Sequence, residues 1–164
     1  MTRQEATEFY RSHSKAVYNT ALRIVRDPEE AEEIMQDTFM KYFTKGIPGL
    51  SEAKEAAWLR TACIRAGIDF LRRRKKGLEL FTDRMQDEAE EEAEDLQDSM
   101  DVMQIRAAME RLPHPYSLIL DLILIEGMDY AGIARMTGQK EATLRSWYSR
   151  GRAKLIKELK TQTI

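Results

Sequence analysis

The amino-acid sequence predicts an all-α protein with two helical domains, an N-terminal helical bundle and a C-terminal helix-turn-helix domain, joined by an acidic linker. Three observations lead to this prediction. Apolar residues recur at helical spacing over the first half of the chain, a strongly acidic stretch follows, and Tyr130–Leu155 has helix-turn-helix spacing. We place the domains at residues 1–80 and 102–164, with the acidic linker at residues 81–101.

Three helices are predicted in the N-terminal domain, at Glu8–Val25, Glu29–Tyr42 and about Ser51–Lys75. Between the first two, Asp27 is a good N-cap and Pro28 suits the first position of a helix, with Glu30 placed as in a capping box. The second helix is predicted to bury one apolar face, made of Ala31, Ile34, Met35, Thr38, Phe39 and Tyr42.

Two charged features of this domain leave more than one interpretation open. The outer face of the second helix carries Glu32, Glu33, Gln36, Asp37 and Lys41. Taken alone, such carboxylates are typical of a solvated helix face, and a hydrolase would need them to converge from separate elements. The basic run 72–76 at the end of the third helix either complements the helix dipole or binds phosphates, and the second interpretation is favoured.

The acidic linker contrasts with the mildly basic regions on either side. Residues 83–101 carry one basic and ten acidic side chains. Such a segment has little to bury and its like charges repel, so we expect it to be extended or weakly helical. A solvated linker is the favoured interpretation. The alternative is a mobile polyanion that shields the basic surfaces of the free protein or occupies a nucleic-acid channel on a partner.

The region Tyr130–Leu155 has the pattern of a helix that enters the major groove. Gly138 stands where the turn between two such helices needs a left-handed residue. At about 100° per residue, the second helix has an inner face of Leu144, Tyr148, Gly151 and Leu155. The opposite face is predicted to carry Ser146, Ser149, Arg150 and Ala153, flanked by Arg145 and Arg152. An ordinary amphipathic surface helix is the alternative.

Five segments together resemble a bacterial RNA polymerase sigma factor of the extracytoplasmic-function (ECF) type. In chain order they are FYRSHSKAVYNTALRIV, DPEEAEEIMQDTFMKYF, AAWLRTACIRAGIDFLRRRKK, MERLPHPYSLILDLILIEGMDYAGIARMTG and ATLRSWYSRGRAKL. The match covers nearly everything except the acidic linker.

The resemblance implies a set of partners and a role for each group of residues. The partners are core RNA polymerase, through the β′ coiled coil and the β flap, promoter DNA, and an anti-sigma factor. The implied polymerase-binding residues are Glu32, Glu33, Gln36 and Asp37. The implied −10 residues are Arg65, Asp69, Arg72, Arg73 and Arg74. The implied −35 readers are Lys140, Thr143, Arg145, Ser146, Ser149, Arg150 and Arg152.

The sequence departs from the family pattern at three positions. Arg65 stands where relatives usually have an asparagine that helps hold a flipped base, which puts the −10 preference in doubt. Lys140 replaces the serine that usually caps the reader helix, and Trp147 replaces a basic residue. We expect Trp147, like Trp58, to pack rather than to contact DNA.

The remaining residues favour no catalytic or metal chemistry. Cys63 lies in an apolar setting, and His13 and His114 have no cysteines at metal-ligand spacing. We therefore expect no cofactor, no metal site and no enzymatic activity, and a cytoplasmic protein without membrane insertion. The predicted function is transcription initiation through promoter recognition and melting. The alternative is a stand-alone helix-turn-helix repressor or activator.

Overall fold

The computed structural model describes residues 1–46, 49–74 and 101–162, and these contain helices and no strands. The chain divides into two compact units, Met1–Arg74 and Lys75–Ile164. The all-α prediction is confirmed. The predicted acidic linker, apart from Asp101, lies outside the described residues.

The N-terminal unit has three long helices: α1 (Arg3–Val25), α2 (Pro28–Lys45) and α3 (Glu52–Arg74). The first helix begins five residues earlier than predicted because Thr2 forms a capping box. The Thr2 hydroxyl accepts the N–H of Glu5 at 3.1 Å, and the Glu5 carboxylate accepts the N–H of Thr2 at 2.9 Å.

The junction between α1 and α2 follows the prediction in one respect and departs from it in another. Asp27 accepts the N–H of Glu30 at 3.0 Å, and Pro28 is the first residue of α2. The Glu30 side chain, however, is buried and forms an ion pair with Arg74 at the end of α3. The expected capping box is therefore replaced by a contact between α2 and α3.

The core of the N-terminal unit is aromatic. Phe9 of α1 stacks on Tyr42 of α2 with ring centroids 4.2 Å apart, and Trp58 of α3 meets Tyr42 edge-on at 5.3 Å. Close packing of α1 on α3 needs Gly67, since a Cβ there would lie 2.9 Å from Cγ2 of Ile24. Every residue predicted for the buried face of α2 is buried. Trp58 packs on Tyr42 as predicted, and its side chain is half-buried.

The C-terminal unit has α4 (Val102–Glu110), α5 (His114–Leu120), α6 (Tyr130–Thr137) and α7 (Glu141–Gln162), with a π-helical turn at Asp121–Ile125. Asp129 caps α6 by accepting the N–H of Gly132 at 2.7 Å. Gly138 ends α6 in the left-handed region with φ of 76°, as the turn chemistry predicts. Residues 118–125 form a mostly apolar run that is buried from Leu118 through Leu122, but Leu124 is 47% exposed because the run spans more than one helical turn.

No helix of the described ranges is long and apolar enough to cross a membrane.

Candidate nucleic-acid interfaces

The first half of α7 presents most of the predicted reader residues. Arg145 and Ser149 are exposed, and Thr143, Ser146 and Arg152 are half-buried. Lys140 lies exposed just before the helix, and its carbonyl accepts the N–H of Leu144 at 3.1 Å. The structure thus brings these side chains together on one stretch of about three helical turns, a length that suits a groove of DNA.

The inner face of α7 packs closely on α5. Leu144 and Leu155 are buried, and a Cβ at Gly151 would lie 3.4 Å from Cδ1 of Tyr116. Trp147 is 2% exposed, so the prediction that it packs is confirmed.

Ala153 corrects the predicted phase of α7. It was expected on the outer face, but it is buried and only 3% exposed. Ile156 and Leu159 are buried as well. The second half of α7 also packs against α4, and Arg111 just after α4 pairs with Glu158 at 3.0 Å. Helix phase alone predicts a single buried stripe, whereas a helix enclosed by two neighbours buries residues on opposite sides.

Arg145 is held beside an aromatic pair on the outside of the helix-turn-helix. Its guanidinium carbon lies 5.0 Å from the centroid of the Tyr130 ring, and one terminal nitrogen lies 3.8 Å from Oε1 of Glu141. Tyr148 meets Tyr130 edge-on at 6.3 Å. Burial raises the pKa of Tyr130 above its ordinary value of 10.0, the nearby Tyr148 raises it further, and Arg145 opposes both by lowering it.

Arg150 differs from the other predicted readers. It is half-buried, and its Nε is buried without a hydrogen-bond partner in the described part of the chain. Its stem is therefore packed into the unit while part of the side chain remains accessible. A packed stem restricts the directions in which the guanidinium can point.

The N-terminal unit has a groove of about 240 Å³ between α2 and α3. Side chains from two predicted groups line it together: Glu33 and Asp37 from the polymerase set, and Asp69, Arg73 and Arg74 from the −10 set. The family resemblance assigned these two groups to different partners, polymerase and the −10 element. Because the carboxylates and the arginines line one groove, each charge is partly balanced by its neighbours.

The other members of these two sets do not line the groove. Glu32, Gln36, Arg65 and Arg72 are exposed, and Arg65 is not part of the groove lining. Arg74 is engaged within the unit, since it pairs with Glu30 and its guanidinium carbon lies 4.9 Å from the centroid of Phe70. Its side chain is still 57% exposed.

Sequence reasoning missed several residues that shape these surfaces. Glu30 was assigned to a helix cap and Tyr130 was given no role, although they contact the predicted DNA-binding residues Arg74 and Arg145. Met40 and Phe43, which are 65% and 43% exposed, lie on the outer face of α2 beyond Gln36. Their spacing of four and seven residues from Gln36 places them there, and the sequence analysis assigned them no role.

The described residues contain no group of three or more His, Cys, Asp and Glu side chains able to hold a metal ion. Cys63 is buried, and its Sγ lies 3.5 Å from the carbonyl oxygen of Val17. His13 is buried beside Phe9, with Nε2 3.7 Å from Oε2 of Glu55.

Two family models match this chain, one in each unit. The model described as Sigma-70 region 2 matches residues 9–77, and the model described as Sigma-70, region 4 matches residues 102–155. Together they leave out little besides the acidic linker and the two ends. The chain belongs to the sigma-70 family.

Individual members of the sigma-70 family are similar to the chain along most of its length. ECF RNA polymerase sigma factor SigE of Mycolicibacterium smegmatis is 29% identical over 152 residues, which span 90% of this chain and 59% of that protein. ECF RNA polymerase sigma factor SigM of Bacillus subtilis is 24% identical over 149 residues, which span 90% of this chain and 91% of that protein. The predicted resemblance to an ECF-type sigma factor is confirmed.

A solved structure shows the same fold. The sigma factor RpoE from Bartonella quintana, determined in complex with the anti-sigma factor NepR, matches with a TM-score of 0.52 and 24% identity over 96% of both chains. With the region 2 and region 4 matches in the order that the sequence predicts, a stand-alone repressor is not the favoured interpretation.

Proposed function

We propose that this sigma-70 family member is a transcription initiation factor that binds core RNA polymerase and directs it to promoters with specific −10 and −35 elements. The observation that carries the proposal is the match of region 2 and region 4 to the two compact units. The exposed polar face on the first half of α7 supports it. The protein itself supplies binding and positioning, and the polymerase supplies the chemistry. Its place of action is the cytoplasm.

In this proposal the N-terminal domain predicted at residues 1–80 binds polymerase and the −10 element. Glu32, Glu33, Gln36 and Asp37 on α2 contact the β′ coiled coil, since three of them are carboxylates and all four are exposed. Arg65, Asp69 and the basic end of α3, Arg72–Arg74, contact the unpaired non-template strand. Opening DNA costs a few kcal/mol per flipped base, and stacking and phosphate contacts offset this cost.

The C-terminal domain predicted at residues 102–164 reads the −35 element from α7. Arg145 is the favoured base-reading residue because its side chain is exposed. A bidentate contact of arginine with guanine contributes roughly 1–3 kcal/mol of discrimination between bases. Lys140, Thr143, Ser146, Ser149, Arg150 and Arg152 serve as further base and phosphate contacts. An anti-sigma factor is the expected regulator, and an acidic linker at 81–101 joins the two activities.

Run-off transcription with bacterial core RNA polymerase tests the proposal. With a library of promoter sequences, initiation should depend on the protein and should enrich two short elements separated by a constant spacer. Absence of protein-dependent initiation, together with specific duplex binding by the protein alone, would favour a repressor.

The polymerase face is tested by Asp37→Lys, with Glu52→Lys on the exposed start of α3 as a control of equal charge change. Asp37→Lys should weaken binding to core polymerase, and Glu52→Lys should not. Equal loss by both variants would indicate a general charge effect and not a contact at α2.

Arg65 is tested separately, because it replaces the usual asparagine of the family. Arg65→Ala and Arg65→Asn should change which base is preferred in the −10 element. If the preference stays the same and only the salt dependence falls, Arg65 is a phosphate contact.

A further inference from the structure

The contacts around Arg145 point to a residue outside the predicted reader set. We propose that Tyr130 is a positioning residue for −35 recognition, whose ring holds the Arg145 guanidinium in the orientation that reads a base. This inference rests on the proposed function, because it concerns how the C-terminal unit selects its DNA. Tyr130 acts through Arg145 and is not itself assigned a contact with a base.

The position of Tyr130 is set by the start of α6. Asp129 caps this helix through the N–H of Gly132 at 2.7 Å, and Tyr130 is the first helical residue. Its ring crosses to α7, where Tyr148 meets it edge-on at 6.3 Å. Edge-to-face pairs of this kind favour one ring orientation over others, so Tyr130 presents a fixed face to its surroundings.

That face is occupied by Arg145. The guanidinium carbon lies 5.0 Å from the ring centroid, within the range of a cation–π contact. Arg145 and Tyr148 are three residues apart on α7, so they lie on neighbouring parts of the same helix surface. The side chain of Arg145 is 60% exposed, and its guanidinium remains accessible to DNA while it rests on the ring.

Glu141 also approaches Arg145, but its contact is weaker. The separation between Oε1 of Glu141 and the guanidinium nitrogen is 3.8 Å, and the Glu141 side chain is 48% exposed. Exposed ion pairs one helical turn apart contribute little in water. We therefore assign the orientation of Arg145 to the ring of Tyr130 and not to the carboxylate of Glu141.

An ordered guanidinium has a consequence for specificity. A free arginine loses side-chain entropy when it binds in one geometry, whereas an arginine already held by a ring loses less. It also reaches fewer alternative acceptors on neighbouring bases. Loss of the ring is therefore expected to relax base discrimination at the position read by Arg145 more than it weakens binding to DNA in general.

Three variants separate the effect of the Tyr130 ring from the effects of its hydroxyl and of the Glu141 carboxylate. Tyr130→Phe keeps the ring face, Tyr130→Leu removes it, and Glu141→Gln removes the carboxylate. Each is assembled with core polymerase and assayed on a promoter library randomised in the −35 element. Tyr130→Leu should lower discrimination at one base position roughly two- to fivefold, and Tyr130→Phe and Glu141→Gln should keep the wild-type preference.

The result that would overturn the inference is equally specific. If wild type initiates from promoters and Tyr130→Leu selects the same −35 sequences, Tyr130 has no positioning role. If Tyr130→Phe behaves like Tyr130→Leu, the hydroxyl is responsible and not the ring. If wild type itself shows no promoter-dependent initiation, the proposed function is wrong. This result differs from a failure of the Tyr130 inference, in which wild type initiates normally.

A measurement without DNA completes the test on the full-length chain. The Nε–Hε group of Arg145 should be more ordered in wild type and in Tyr130→Phe than in Tyr130→Leu, by side-chain ¹⁵N relaxation. The exposed Arg106 of α4 serves as the internal reference. If Arg145 is as mobile as Arg106 in the wild-type protein, the ring does not hold it.

Discussion

The two units present their candidate residues in different ways. In the C-terminal unit, all the predicted readers stand on or just before one helix, α7. In the N-terminal unit, the predicted residues come from α2 and α3, and five of them, Glu33, Asp37, Asp69, Arg73 and Arg74, line a shared groove. A surface on one helix follows from residue spacing, whereas a surface between two helices depends on how the helices pack.

The difference extends to how each unit treats its arginines. Arg74 is paired with a buried carboxylate, Glu30, while Arg145 rests on a neutral ring beside an exposed carboxylate. A paired arginine has less charge to offer to phosphate, and an arginine on a ring keeps its full charge. Arg74 is therefore expected to contribute less to phosphate binding than Arg145 does.

The largest effect on stability is expected from removing Trp147, which packs on the inner side of α7. Trp147 is 2% exposed, whereas Trp58 in the N-terminal unit is half-buried. Trp147→Ala should lower the free energy of unfolding of the C-terminal unit by about 3–5 kcal/mol. Chemical denaturation followed by amide signals of that unit measures this, and Trp58→Ala should cost the N-terminal unit less. Equal losses in the free energy of unfolding would show that the different exposure of the two tryptophans does not determine their contribution to stability.

Adding a methyl group at a helix contact is expected to have opposite signs in the two units. A Cβ at Gly67 would lie 2.9 Å from Cγ2 of the fully buried Ile24, while a Cβ at Gly151 meets atoms only at 3.4 Å or more. Overpacking at Gly67→Ala should cost about 1–3 kcal/mol, partly offset by the better helix propensity of alanine. Gly151→Ala should stabilise by about 0.5–1 kcal/mol. Thermal denaturation of both variants tests the signs, and a stabilising Gly67→Ala would show that α1 and α3 can move apart.

The pairing of Arg74 predicts unequal salt effects for two neighbouring arginines. Arg73→Gln should lower the slope of log affinity against log salt by roughly 0.7–0.9, the value for one phosphate contact, on −10 DNA bound by the holoenzyme. Arg74→Gln should lower it less, because Glu30 already neutralises that charge. Combining Arg74→Gln with Glu30→Gln controls for the carboxylate left behind. Equal slopes for the two single variants would show that the Glu30 pair opens when DNA binds.

The smallest effect concerns two tyrosines with raised pKa values but different charged neighbours. Burial raises the pKa of Tyr42 above 10.0 and Glu55 raises it further, whereas Arg145 lowers that of Tyr130 against the effect of burial. Glu55→Gln should therefore lower the pKa of Tyr42, and Arg145→Ala should raise that of Tyr130. Titration of the tyrosine ¹³Cζ signals measures both. Shifts in the same direction would contradict these assignments.

The same pKa shifts have a stability consequence with a defined sign. A phenol whose pKa is raised on folding holds its proton more tightly in the folded state, so its contribution is intact below pH 10 and is lost as pH rises through the folded pKa. Tyr42→Phe should reduce the alkaline loss of stability in the N-terminal unit. If the variant loses stability at high pH as much as wild type does, ionisation of Tyr42 does not cause that loss.

The sequence predicted the helices well where local signals are strong. Asp27 and Pro28 begin α2, and Gly138 ends α6, because capping and left-handed turns depend on the nearest few residues. The start of α1 was wrong by five residues, since the capping box at Thr2 lies before the first strong apolar repeat. The buried position of Ala153 was missed because helix phase alone placed it on the outer face, whereas α7 packs against more than one helix.

The sequence by itself determined the helical class, the helix-turn-helix pattern and the resemblance to a sigma factor, because periodicity, caps and motif order are local properties of the chain. Only the tertiary structure decided that Glu30 takes up Arg74, that α2 and α3 line one groove, and that Tyr130 lies under Arg145. The two side-chain pairs are 44 and 15 positions apart, and the charged residues named from the two sides of the groove are 32 to 41 positions apart. Residue spacing within one helix cannot specify such pairs, because they depend on the angle and depth at which two helices pack.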